Sequence, residues 1–89
     1  MQVVFKYPIE ITDTFSLMLP KNAQLLSVQF QHDTLCLWVL VNRSQPEEER
    51  RFRLAGTGHP ILQSEEQLKF IGTCQLSASF VVHLFEIVA

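Results

Sequence analysis

The sequence predicts a mainly β domain, a small antiparallel β-sandwich or partly open barrel of six to seven strands with at most one short helix. Three observations lead there. Apolar side chains recur at every second position through most of the chain. Turn-forming residues interrupt that alternation at short intervals. No long segment shows the 3.6-residue period of an amphipathic helix.

The elements follow in order. Val3, Phe5 and Tyr7 alternate with Val4 and Lys6 until Pro8, which is expected to end or interrupt the strand. Residues 9–13 continue it after a bend. Phe15, Leu17 and Leu19 then share one face, with Ser16 and Met18 on the other, up to Pro20. Lys21, Asn22 and Ala23 read as a turn. Leu26, Val28 and Phe30 form a buried face opposite Ser27, Gln29 and Gln31. After His32-Asp33-Thr34, the run Leu35-Cys36-Leu37-Trp38-Val39-Leu40-Val41 is apolar on both faces, as in a strand covered on two sides. Residues 24–42 therefore form a hairpin with 35–41 as its more central strand.

The polar stretch 42–49 reads as an exposed loop. Arg51 and Arg53 alternate with Phe52 and Leu54, a strand with a basic outer face. Gly56-Thr57-Gly58-His59-Pro60 breaks the pattern, and Ser64-Glu65-Glu66-Gln67 fits one helical turn. Leu68, Phe70, Gly72, Cys74 and Leu76 line one face of a further strand, in which Gly72 marks a bulge or a close approach. Ser77-Ala78-Ser79 turns the chain into a last strand over 80–88, again apolar on both faces.

The 89 residues make one domain, 1–89, and the chain reads as a complete short product. A chain this size buries only ~60–65% of the surface its unfolded form exposes. Yet 47% of the residues are hydrophobic and seven are Phe. The two-sided strands 35–41 and 80–88 are therefore expected to be covered partly by another copy, a homodimer or higher assembly. The net charge of −2 argues against nonspecific attraction to nucleic acid or an anionic membrane. No apolar run approaches the ~20 residues of a membrane-spanning helix. The first eleven residues lack the charged start and long apolar middle of a secretory signal, so the expected location is cytoplasmic. Cys36 and Cys74 lie in apolar runs without metal-site spacing and read as buried thiols.

The residues that could carry chemistry are few. Gly56, Thr57, Gly58 and His59 can bring backbone N–H groups toward one point, and such a concavity holds anions. Arg51 and Arg53 lie just before it and suit phosphate or carboxylate. The blander reading is a tight turn beside arginines paired with Glu47, Glu48 and Glu49, and it is preferred. His32 belongs to a hairpin turn, and His83 to an apolar strand face, where a hydrogen-bonded structural role is the commoner one. The three histidines do not form a spaced ligand set, so no metal and no cofactor is expected. Trp38 and Tyr7 read as core aromatics rather than base-stacking platforms, and nucleic acid is not an expected partner.

Several segments together carry a resemblance: Lys6-Tyr7-Pro8, the hairpin over 25–41 with Cys36-Leu37-Trp38, Arg51-Phe52-Arg53, Gly56-Thr57-Gly58-His59-Pro60-Ile61, Phe70-Ile71-Gly72-Thr73 and His83-Leu84-Phe85-Glu86. The chain resembles, over nearly its whole length, a group of short uncharacterised proteins of bacteriophages and prophages. That resemblance implies an accessory protein made in the cytoplasm of a bacterial host, with host or virion proteins as partners. The leading expectation is a non-enzymatic, homo-oligomeric binding module. The alternatives are a binder of a small anionic ligand, such as a nucleotide, at Arg51, Arg53 and residues 56–59, and, behind it, a hydrolase using His59 or a cysteine.

Overall fold

A computed structural model describes residues 1–88. Seven strands run in the order β1 (Gln2–Ile9), β2 (Thr14–Pro20), β3 (Gln24–Gln31), β4 (Thr34–Asn42), β5 (Glu47–Gly56), β6 (Leu68–Gln75) and β7 (Val81–Ile87), with a single 3₁₀ turn at Glu65–Gln67. They form two antiparallel sheets, β1-β4-β3 and β2-β5-β7-β6, that do not close into a barrel. The overall extents of 40 × 32 × 16 Å suit two layers packed face to face. No helix among the described residues is long and apolar enough to cross a membrane.

The core lies between the sheets. Leu35, Leu37, Val39 and Val41 of β4 face Phe52 and Leu54 of β5, Val82 and Leu84 of β7, and Leu19 of β2, all buried. Phe15 stacks on Phe52 with ring centroids 5.1 Å apart. Both cysteines are free and buried.

The predicted elements are largely present, and the differences have physical causes. Pro8 does not end β1: it stays in the ladder opposite Cys36, because β1 is an edge strand with one side free of hydrogen-bond partners. Residues 10–13 turn the chain from one sheet to the other rather than extending the strand. The loop predicted over 42–49 is shorter, because Glu47, Glu48 and Glu49 already pair with Pro20, Leu19 and Met18 in the β2–β5 ladder. His32 and Asp33 both adopt positive φ, 50° and 62°, the backbone of a tight hairpin turn. The helical turn predicted at 64–67 is present, with the Ser64 N–H donating to Gln67 Oε1 at 2.8 Å.

Two bulges overturn the faces assigned by alternation. In β3 the register slips between Leu25 and Ser27, so Leu25 packs on the core and Leu26 points outward, 44% exposed. In β6 it slips between Phe70 and Gly72, which turns Leu68 and Phe70 outward while Gly72 and Cys74 face inward opposite Leu84 and Val82. Phe70 is accordingly 58% exposed. Gly72 serves both predicted purposes, a bulge and a close approach. A Cβ there would sit 3.0 Å from Val28 Cγ1 on β3, where the two sheet edges meet. Gly72→Ala should cost about 1 kcal/mol in chemical denaturation, and less than additively when combined with Val28→Ala.

Candidate functional site

β5 and β6 flank β7, and each is antiparallel to it. They are therefore parallel to each other, so residues 57–67 must cross over the sheet rather than form a hairpin. Arg53 holds this crossover. Its side chain lies on the outer face of the four-stranded sheet, in register with Thr14 and Phe85, yet the residue is 8% exposed. Nη2 donates to the Pro60 carbonyl at 2.9 Å, and Nη1 to the carbonyls of Asp13 at 3.0 Å and Leu54 at 3.2 Å. The Asp13 carboxylate lies 3.4 Å away. One guanidinium thus ties the crossover and the β1–β2 corner to β5.

The predicted anion site is not assembled as one pocket. Arg51 is exposed two positions along β5, between Ser16 and Ile87, in a groove also lined by Thr14 and Gln63. Gly56, Thr57 and His59 line a different groove with Ser79, Phe80 and Val81. Gly58 takes φ of 83° at the exposed turn, and the His59 ring lies where a side chain on Gly56 would have to go. Arg53 is already committed to backbone carbonyls, so replacing both arginines would disturb the fold along with any ligand. Among the described residues no ion pair joins the β5 arginines to Glu47, Glu48 or Glu49, although the Glu48 charge acts on Arg50. Arg53 lies by Asp13, and Arg50 binds Glu86.

The Arg50–Glu86 pair closes the other end of the sandwich. Nε meets Oε2 at 2.6 Å and Nη2 meets Oε1 at 2.8 Å, a bidentate fork. Nη1 donates to the Ala23 carbonyl at 2.6 Å, in the turn that leads from one sheet to the other. The hydrogen bond to Glu86 raises the Arg50 pKa further, against the opposing effect of burial.

Sequence reading missed the setting of His83. On the outer face, between β5 and β6, its Nε2 lies 2.7 Å from Thr57 Oγ1 and its Nδ1 2.9 Å from Thr73 Oγ1. Both ring nitrogens are occupied by hydroxyls from distant parts of the chain, and no spacing in the sequence signals that. His59 and Glu86 do not converge. Glu86 pairs with Phe52 and Val82 with Gly56, so Glu86 sits four residues along the ladder, roughly 13 Å from the glycine turn.

The remaining surface with a distinct character is the outer face of β1-β4-β3. Register sets Val4 beside Leu40, Lys6 beside Trp38 and Pro8 beside Cys36, with Ser27 and Gln29 on the far side. Leu26 adds to this face through the β3 bulge. The Lys6 ammonium donates to Gln31 Oε1 at 3.0 Å, reaching across β4 from β1 to β3 over the strand that carries Cys36. Val4 is 53% exposed, and Trp38 and Leu40 are half-buried, so Trp38 is not the core aromatic predicted. The rim is Gln24, Gln29, Gln31 and Asn42, with Lys6 the charged side chain on the face. This is a shallow apolar surface with an amide rim, and at its Leu40 end Gln24, Asn42 and Lys21 line a small groove. Such a surface suits contact with another protein.

No curated protein and no solved structure matches the chain. A family model does match, over residues 1–89, and the chain accordingly belongs to the family described as Domain of unknown function (DUF7352).

Proposed function

We propose that the protein is a non-enzymatic binding module that acts as a homo-oligomer and offers the outer face of β1-β4-β3 to a protein partner. The observation that carries this reading is the apolar patch of Val4, Leu26, Trp38 and Leu40, which the chain leaves partly uncovered. An apolar patch whose rim is mostly uncharged amides can be desolvated at modest cost. The resemblance to bacteriophage and prophage proteins gives the partner a class, a host or virion protein met in the bacterial cytoplasm.

Val4 and Leu26 are exposed enough to be changed without opening the core. The double variant Val4→Lys/Leu26→Lys should fold as the parent does. It should lose at least about tenfold in affinity for a purified protein that the parent retains from a bacterial host. Equal affinity of parent and variant for every retained protein overturns the assignment of this face.

A further inference from the structure

The two open sheets leave four edge strands, and three of them carry features that hinder further pairing. β1 holds Lys6 and Pro8. β3 and β6 each contain a bulge and lie against one another at Val28 and Gly72. β2 is different. Among the described residues it pairs with β5 alone, and from Thr14 to Leu19 it has no charge, no proline and no bulge.

The ladder decides which backbone groups of β2 are free. The Leu54 N–H donates to the Asp13 carbonyl at 2.9 Å, and the Lys21 N–H to the Pro46 carbonyl at 2.8 Å. Both pairs continue the β2–β5 register. Odd-numbered residues of β2 therefore bond to β5, and Ser16 and Met18 aim their N–H and C=O groups at the open side. Pro20 is also even-numbered, so its missing N–H takes nothing from the β5 ladder. The Thr14 carbonyl, on the same open side, accepts the Thr12 hydroxyl at 3.0 Å.

We propose that β2 is the strand through which two copies of this chain join, antiparallel about a two-fold axis at Leu17, merging two four-stranded sheets into one. In this register Ser16 and Met18 of the second copy exchange both backbone hydrogen bonds, and the reverse pair does the same. The Thr14 N–H faces the Pro20 carbonyl of the second copy, which already accepts the Ala23 N–H of its own chain at 3.1 Å, so the joint rests on the four Ser16–Met18 bonds. The Thr14 carbonyl, which a proline cannot serve, already has its donor in Thr12. Asp13, whose side chain is 95% exposed, lies opposite Lys21 of the second copy at both ends of the joint. A slip of two residues either way separates these charges. The slip toward Pro20 also sets the Ser16 carbonyl against a residue with no N–H. Charge thus selects this register over both slips, and the hydrogen-bond inventory excludes the slip toward Pro20.

The inference rests on the oligomeric reading above and adds the surface and the register. Sedimentation equilibrium from low to high micromolar concentration tests it. The parent is expected to be a dimer. Lys21→Glu, which sets two carboxylates against each other, should weaken it about tenfold, and adding Asp13→Asn should restore most of the loss. Ser16→Pro, which removes an N–H only from the open side, should leave a folded monomer by circular dichroism. Where Ser16→Pro does not fold, the charge variants decide. A parent dimer unmoved by the charge variants and by a folded Ser16→Pro overturns the β2 joint and leaves the oligomeric reading standing. A parent that stays monomeric at every concentration overturns both.

Discussion

Glu86→Ala should destabilise the fold by about 3 kcal/mol, the usual cost of leaving a desolvated charge without its counterion. The fork from Arg50 places two charge-assisted hydrogen bonds on Glu86, and the two side chains are 17% and 10% exposed. Loss of the carboxylate leaves the guanidinium held at Ala23 and cut off from most solvent. For a domain of this size the melting temperature should fall by roughly 12–24 °C, read by circular dichroism. Replacing both partners, as Arg50→Met/Glu86→Leu, should recover most of the loss, because the penalty comes from the unpaired charge. A drop below about 1 kcal/mol for Glu86→Ala would mean that the pair contributes no more than a surface ion pair.

Arg53→Ala should cost about 2–3 kcal/mol, with the effect concentrated in the crossover. Three carbonyls share its guanidinium, two of them just outside the strands, at Asp13 and Pro60. Amide hydrogen exchange over residues 57–67 should speed up more than exchange in β4. Arg53→Lys should recover only part of the stability, since an ammonium cannot span the same carbonyls in a fixed plane. Arg51→Ala, two positions along the same face and exposed, should stay within about 0.5 kcal/mol of the parent. Equal effects at the two positions would contradict the assignment of Arg53 as the clamp.

The contrast between these two arginines shows how far the sequence could be read. Their alternation with Phe52 and Leu54 correctly places both on the outer face of a strand. It gives no sign that the chain returns over one of them and not the other. The same holds at Leu26 and Phe70. Alternation assigns both to the core, and a single extra residue in each strand turns them to solvent. The two-sided apolar runs correctly mark β4 and β7 as interior strands of their sheets. What covers their outer sides was less legible. Beside β7 the crossover packs on the same face, while Trp38 and Leu40 of β4 stay half-buried.

By itself the sequence determined the local code of this protein: β-strands from period-two patterning and turns from Asn, Asp, Gly and Pro. These depend on neighbours a few residues apart, which any reader of the chain can see. Tertiary structure alone decided the pairing of Arg50 with Glu86, the clamp at Arg53, the seat of His83 between Thr57 and Thr73, and the place of β2 at the edge of its sheet. Each of these needs groups far apart in the chain to be brought within bonding distance, or needs the order of strands in a sheet. Both are set by how the layers pack against each other, and no local pattern encodes that.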